Sequence, residues 1–395
     1  MNKKSVVIGV TGGIACYKTL DIVSRLKKKN YEVNVIMTSS ALKFINPLPF
    51  QSLSQNFVVK DMFEEPKAFE IQHISLAKKA DLILVAPATA NIIGKVANGI
   101  ADDMLSTTIM AAKCPIIFAP AMNTNMYRNP IVQDNMKKLE YHGYSFINPI
   151  SGKLACGDVG EGKMEDTETI VEMVDSMLYP IKDLIGKNVL VTAGPTIAPI
   201  DPVRFITNRS SGKMGYAIAK EARDRGANVT LISGPTNLKD PIGVNLIRVK
   251  TNEEMLNAVK DNFNNKHIVI KSAAVADYKP KEYCNHKIKK AGENLNLELI
   301  KDTDILKELG LIKNNQILVG FAAESKDLLE NAKVKLHNKN LDFIVANNIL
   351  SKDTGFSSED NLVTILSKDG NVIALEKMTK REIANKLFDV ILNKM

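Results

Sequence analysis

Cys156 lies in GKLACGDVGEGKM, residues 152–164, a run of glycines and charges unlike a core segment. Free cysteine is ordinarily buried, and reactivity more often than packing explains its placement in a loop. Two other residues capable of chemistry stand near strand-like runs: His73 in IQHISLAKKAD, ahead of one, and Asn123 in APAMNTNMY, after one. A lone histidine is more often a surface or satisfied core residue. Histidine, asparagine and cysteine on three separate loops can nevertheless meet in one pocket. One chemistry for that trio is hydrolysis, with His73 activating Cys156 as nucleophile, but no local signature of a hydrolase cysteine surrounds Cys156.

These residues need a scaffold, and the first half of the chain supplies one by alternating strand and helix patterns. SVVIGV, YEVNVIMT, DLILVAPA, CPIIFAPA and YSFINPI are mostly continuous apolar runs of the kind buried on both faces of a parallel sheet. Helical patterns such as ANGIADDMLSTTIMAAK fill the intervals. The pattern predicts a doubly wound α/β fold, which binds ligands at the carboxyl ends of its strands. Gly12 and Gly13 fall between the first strand and its helix, where backbone amides can hold an anion. Their spacing is not the G-x-G-x-x-G of a dinucleotide fold, and a glycine turn without a ligand is the lesser alternative. Ser39 follows the second strand as a helix cap or a phosphate contact. Thr89, Asn91, Ser106 and Thr107 add small hydrogen-bonding groups at the same edge. Singly each reads as a cap; together they outline a pocket for a flat polar ligand.

A helical stretch ending at Pro180 and Gly186 closes this half, and the α/β pattern restarts at KNVLVTAGPT. The boundary is expected near residues 180 to 187, dividing the chain into domains 1–185 and 186–395. ANVTLISG, HIVIKSAAVADY, QILVGFAAES and LDFIVANN continue the second series, followed by a hairpin turning at Asp369 and Gly370. Gly212 and Lys213 do not complete a phosphate loop, because Met214 stands where serine or threonine is needed. Gly194, Ser210, Ser211 and Gly212 still precede a helix and can present amides to an anion. Lysines recur in HKIKK, Lys287 to Lys290, and at Lys335 and Lys339, one helical turn apart. Solvated surface charge is the plain reading of each such pair.

Composition limits the classes. A chain of 395 residues with 45% hydrophobic and 24% charged residues has a globular composition and room for two domains. The formal net charge of +8 comes from dispersed lysines without basic blocks or interleaved aromatics, which argues against nucleic-acid binding. Cysteines at 16, 114, 156 and 284 form no C-x-x-C pair. Neither a structural zinc site nor a disulfide framework is therefore indicated, no metal ligands can be named, and a reducing cytoplasmic setting is expected. The N-terminal MNKKSVVIGVTGGIACY imitates a signal peptide, but its apolar run is broken at Thr11, Gly12 and Gly13. No later run is long enough to span a membrane.

TGGIACYK, HISLA, PATANIIGKVANGIADDMLSTT, PAMNTNMY and SGKLACGDVGEGKM together resemble, in order, the motifs of the flavin-dependent cysteine decarboxylases. The nearest likeness is to the phosphopantothenoylcysteine decarboxylase half of the bifunctional coenzyme A biosynthesis proteins. VTAGPT, IDPVRFITNRSSGKMG, SAAVADY, KIKK, GFAAES and LDFIVANN resemble their other half, phosphopantothenate–cysteine ligase. The resemblance implies a flavodoxin-like decarboxylase domain followed by a Rossmann-like ligase domain. It implies FMN at Gly12, Gly13, Ser39, Thr89, Asn91, Ser106 and Thr107. Decarboxylating a cysteinyl group leaves a carbanion with no electron sink, and oxidation of its CH2–SH end to a thioaldehyde creates one. In that picture His73 serves oxidation and decarboxylation, Asn123 grips the substrate carboxylate, and Cys156 is a proton donor on a lid.

For the second half the resemblance implies that 4'-phosphopantothenate attacks CTP, with Mg2+ screening the triphosphate, to give an acyl-cytidylate that the cysteine amine opens. Asn208 then handles the acyl intermediate, Arg204 and Lys287 supply stabilising charge, and Asp277, Lys287, Phe321, Lys335 and Lys339 take the nucleotide. It also implies a homo-oligomer of trimeric decarboxylase and dimeric ligase units, up to a dodecamer. Two departures stand out: Tyr127 where the family's motif usually ends in tryptophan, and Ile197-Ala198 where an arginine–glutamate pair is usual. Outside this family, the competing expectations are a pyridine-nucleotide oxidoreductase and a non-enzymatic nucleotide-binding protein.

Overall fold

The structure is a computed structural model that describes residues 3–63, 71–154, 157–289, 295–324, 328–348, 358 and 360–395. It divides into two compact units, Met1–Tyr179 and Pro180–Met395.

The first unit is built on strands β1 (Ser5–Val10), β2 (Glu32–Met37), β3 (Leu82–Ala88), β4 (Ile116–Pro120) and β5 (Ser145–Phe146), in the order β2-β1-β3-β4-β5. All neighbours are parallel, as the doubly wound pattern predicts. Every residue of β1, β3 and β4 is buried. The alternation of a strand explains why the runs are apolar throughout: Val6 and Ile8 pack with Ile22, Leu26 and Ile170 on one face, and Val7 packs with Ile83, Ile92 and Leu105 on the other. Gly9 lets the helix Met104–Ala111 approach the sheet, since a Cβ there would lie 2.4 Å from Leu105. Each fully buried aliphatic side chain contributes about 1.5–3 kcal/mol.

Two further strands, β6 (Ile150–Lys153) and β7 (Val159–Lys163), pair antiparallel as a separate hairpin. The sequence pattern joined YSFINPI into one strand. The structure ends β5 at Phe146 and restarts at Ile150 after Pro149, which has no N–H for a ladder. The hairpin arms hold the glycine-rich stretch whose chemistry is at issue; Cys156 itself lies outside the described residues.

The second unit contains β8 (Asn188–Ala193), β9 (Ile197–Pro199), β10 (Phe205–Thr207), β11 (Asn228–Ser233), β12 (Asn245–Arg248), β13 (Ile268–Lys271), β14 (Tyr278–Pro280) and β15 (Leu299–Lys301). It continues with β16 (Ile317–Glu324), β17 (Phe343–Asn348), β18 (Asp360–Asn361), β19 (Val363–Ser367) and β20 (Val372–Ala374). The main sheet runs β12-β11-β8-β13-β16-β17-β19-β20, parallel as far as β17 and antiparallel beyond. The expected hairpin at Asp369 and Gly370 joins β19 to β20, with Gly370 at φ +90°. Ile197 and Ala198 sit in β9, paired with Thr207 and Ile206 of β10.

A charged cluster closes this unit. Arg225 is fully buried; it donates to Glu221 at 3.1 Å, Asp183 at 3.2 Å and the Asn385 carbonyl at 3.0 Å, and pairs with Asp389. It thereby ties the first residues of the unit to its last helix, Lys380–Leu392.

Candidate active sites

A cavity of about 950 Å³ opens at the carboxyl ends of β1, β2, β3 and β4, where a doubly wound sheet binds ligands. Gly12, Gly13, Ser39, Thr89, Asn91 and Asn123 all line it. The loops are held by internal hydrogen bonds: Thr11 Oγ1 donates to the Pro87 carbonyl at 2.7 Å and accepts from the Thr89 N–H at 3.2 Å. Gly12 is needed because a Cβ would fall 2.4 Å from Ser40 Cβ, so the two loops touch there. Thr11, Ser40, Lys18, Lys153 and Lys163 also line the cavity and were not singled out from sequence. Thr11 and Ser40 flank the chosen residues directly, whereas the lysines read as ordinary surface charge. Burial and the charge of Lys163 both hold the Lys18 ammonium below its usual range.

Asn123 caps the short helix Thr124–Arg128, its Oδ1 accepting from the Asn125 N–H at 2.8 Å. Its Nδ2 donates to Asp158 Oδ2 at 3.3 Å, so its amide already faces a carboxylate. Asp158 belongs to the β6–β7 hairpin, which is seated along residues 122–124. The Met122 N–H donates to the Gly162 carbonyl at 2.9 Å, and Arg128 reaches Glu161 at 3.2 Å. Glycine is required at two contact points. A Cβ on Gly160 would lie 2.6 Å from Thr124 Oγ1, and one on Gly162 would lie 2.1 Å from the Met122 carbonyl oxygen. The two residues flanking the undescribed tip are themselves tied, Gly157 N–H to the Leu154 carbonyl at 3.0 Å. The hairpin therefore packs Asp158, Gly160 and Gly162 against the Asn123 loop. Tyr127 is half-buried, and burial pushes its phenol up, assisted by Glu161.

Among the described residues, three of the sequence-derived set are not among those lining the cavity. His73 is half-buried near the start of the helix Gln72–Lys79. Ser106 is fully buried and closes a capping box with Asp103, its N–H donating to Asp103 Oδ1 at 2.8 Å. Thr107 Oγ1 donates to the Ala101 carbonyl at 3.2 Å.

In the second unit, loops after β8 and β13 meet at the carboxyl edge of the sheet, the Ala274 N–H donating to the Gly194 carbonyl at 2.9 Å. Asn208 is fixed against them, its Nδ2 donating to the carbonyls of Ala274 at 3.2 Å and Val275 at 2.9 Å. Gly212, at φ +78°, caps the helix Lys213–Asp224 and passes so close to Gly194 that a Cβ would meet its Cα at 3.4 Å. Arg204 and the neighbourhood of Lys287 are brought together through Asp201. That carboxylate accepts the N–H groups of Val203 and Arg204, both at 2.8 Å, and of Ile288 at 3.2 Å. Arg204 in turn donates to the Ile288 carbonyl at 3.1 Å. Burial alone would raise the Asp201 carboxyl, but those backbone donors and Arg204 hold it below the usual range. Lys287 itself is exposed.

Asp277, exposed at the end of the β13 loop, is tied to β15 by its carbonyl, which accepts from the Asp302 N–H at 2.8 Å. Phe321 is half-buried on β16. Lys335 lies on the helix Leu328–Asn338, and Lys339, just past its end, pairs with Asp304 at 2.7 Å. Among the described residues no group of three or more His, Cys, Asp or Glu is placed to hold a metal ion.

Residues 1–179 match the family described as Flavoprotein, and residues 184–395 match the DNA/pantothenate metabolism flavoprotein C-terminal domain. The chain is 48% identical over 394 residues to the coenzyme A biosynthesis bifunctional protein CoaBC of Bacillus subtilis (strain 168), covering 99% of this chain and 97% of that one. It is 43% identical over 397 residues to the protein of the same name from Escherichia coli (strain K12), covering 99% and 97%. Among solved structures, the C-terminal domain of a CoaBC protein is 46% identical with a TM-score of 0.46, covering 53% of this chain and 96% of that one.

Proposed function

Because the chain belongs to the family of bifunctional coenzyme A biosynthesis proteins, we propose that it joins cysteine to 4'-phosphopantothenate using CTP and then decarboxylates the product to 4'-phosphopantetheine. The observation that carries the decarboxylase half is the β6–β7 hairpin seated on the Asn123 loop at the mouth of the cavity. The two activities are assigned to the two units, the ligase following the decarboxylase along the chain.

The cavity residues fit FMN. Its volume of about 950 Å³ has room for a flavin and a substrate chain, and its lining supplies small hydroxyl and amide groups on a glycine floor. Backbone amides of Gly12 and Gly13, ahead of the helix Cys16–Lys28, suit the phosphate, and Ser39, Thr89 and Asn91 supply further hydrogen bonds. The bound flavin supplies a reversible two-electron oxidant that makes the substrate's sulfur-bearing carbon an electron sink for carboxylate loss. Asn123 binds the substrate carboxylate with the amide that now faces Asp158. The hairpin excludes water over the bound substrate, and its Cys156 returns a proton to the enethiolate carbon. His73 acts as base or electrostatic partner. Its place outside the single-chain cavity lining gives the expected homo-oligomer a role in completing the site.

In the ligase unit the phosphopantothenate carboxylate attacks the α-phosphate of CTP, the bond to pyrophosphate breaks, and the cysteine amine then displaces CMP from the acyl carbon. Asn208, held by two carbonyls, serves the acyl intermediate, while Arg204, tied to the backbone of Ile288, and the adjacent Lys287 supply positive charge. Mg2+ arrives with CTP, bound chiefly through phosphates and water. The test supplies the purified chain with phosphopantothenate, cysteine, CTP and Mg2+, and follows pyrophosphate and carbon dioxide separately. Release of both supports the proposal, and release of neither overturns it.

A further inference from the structure

Lys271 is the last residue of β13, at the carboxyl edge of the second unit's parallel sheet. Its side chain stays partly buried, with Nζ donating to the neutral Ala273 carbonyl at 2.9 Å. Among the described residues no carboxylate lies within ion-pair distance of it. Four charged residues act on it electrostatically: Lys335 and Lys339 from the end of the helix after β16, Asp304 from the cap of the helix Ile305–Ile312, and Asp277 from the β13 loop. Asp304 is already engaged by Lys339 and by the Lys307 N–H at 3.1 Å. Lys339 and Asp304 offset each other, so the five residues keep one more lysine than aspartate, and the partly buried Lys271 amine has a hydrogen-bond partner that carries no charge. Such a site is completed by a polyanion.

Resting on the ligase reading above, we propose that Lys271 binds the polyphosphate of the nucleotide as a third lysine beside Lys335 and Lys339. Neither the family resemblance nor any sequence motif selects it, since a lysine ending an apolar strand reads as a solvated strand end. A measurable consequence follows from its setting. Burial, then the charge of Lys339, pushes Lys271 down to about 8, with Lys335 adding to the fall and Asp304 and Asp277 opposing it. At pH 8 the amine is divided between its two forms, and an arriving polyanion favours the ammonium. CTP binding therefore draws in part of a proton per site near pH 8 and weakens as pH rises further.

The experiment measures CTP binding to the full chain with Mg2+ by calorimetry at pH 8, in two buffers of different ionisation heat, alongside the ligase KM values. Lys271→Met should raise Kd and KM for CTP about tenfold or more and abolish this proton uptake. It should leave KM for cysteine and decarboxylation of supplied phosphopantothenoylcysteine unchanged. Lys271→Arg, always charged, should retain most of the affinity without the proton uptake. The arginine variant decides the matter alone should the methionine variant fail to fold. Variants that bind CTP as tightly as the parent with the same uptake overturn the assignment of Lys271. A parent protein that neither binds CTP nor releases pyrophosphate overturns the ligase reading itself, a distinguishable result.

Discussion

Gly162→Ala should uncouple the two reactions. The new Cβ would lie 2.1 Å from the Met122 carbonyl oxygen, whereas ordinary contact begins at 3.4 Å, so β7 must retreat by roughly 1.3 Å. That retreat breaks the 2.9 Å hydrogen bond from the Met122 N–H to the Gly162 carbonyl, worth about 0.5–1.5 kcal/mol. The backbone at φ +139° adds strain of about 1–3 kcal/mol for any residue with a side chain. Together these disfavour the seated hairpin by about 2–4 kcal/mol, or roughly 30-fold to several hundred-fold in its population. Carbon dioxide release from supplied phosphopantothenoylcysteine should fall by that factor, with flavin retained and pyrophosphate release unchanged. Gly157→Ala is the graded control. Its φ of +94° is strained but nothing lies within 4 Å of the added methyl, so a loss of about tenfold is expected. Decarboxylation by Gly162→Ala at the parental rate would refute the claim that the seated hairpin is the working conformation.

Gly12→Ala forces apart the loops that meet at Ser40 and should strip flavin from the protein, seen as loss of visible absorbance while far-UV circular dichroism is kept. Arg225→Met leaves the fully buried Glu221 carboxylate with Arg381 and Asn385 but without its second guanidinium, and should destabilise the second unit by about 1.5–3 kcal/mol in urea unfolding. Asp201→Ala releases Arg204 and the Ile288 backbone together, so ligase turnover should fall sharply while decarboxylation persists. Because the Asp201 carboxyl is held below its unfolded value, its contribution is present above the ordinary carboxylate range and lost as pH falls through the lowered value. The Ile288 amide resonance should accordingly hold its position on acidification past the point where a free aspartate protonates.

Much of the scaffold was legible because β1, β3 and β4 are buried on both faces, and uninterrupted apolar runs separated by helical periodicity report that arrangement directly. The β6–β7 hairpin was not legible as strands. Its glycines, lysines and acids have low strand propensity, and what holds it is contact with residues 122–124, fixed only in the folded chain. Ser106 shows a different limit: D-M-L-S fits both a capping box and a ligand hydroxyl, and burial, which the sequence does not display, places it in the cap. Arg204 was chosen for its charge, yet besides the nearby Asp201 carboxylate it binds the carbonyl of a residue 84 positions away, which carries no side-chain signal. Lys271 went unnoticed for the reverse reason, since its meaning lies in neighbours drawn from three other segments.

The central claim is that one chain catalyses two consecutive reactions, and its most direct measurement uses cysteine labelled at the carboxyl carbon. With phosphopantothenate, CTP and Mg2+ supplied, the account predicts one labelled carbon dioxide for each pyrophosphate at completion, with pyrophosphate appearing first. Labelled carbon dioxide released without CTP, or pyrophosphate accumulating while the label stays in the product of a flavin-loaded protein, would contradict it.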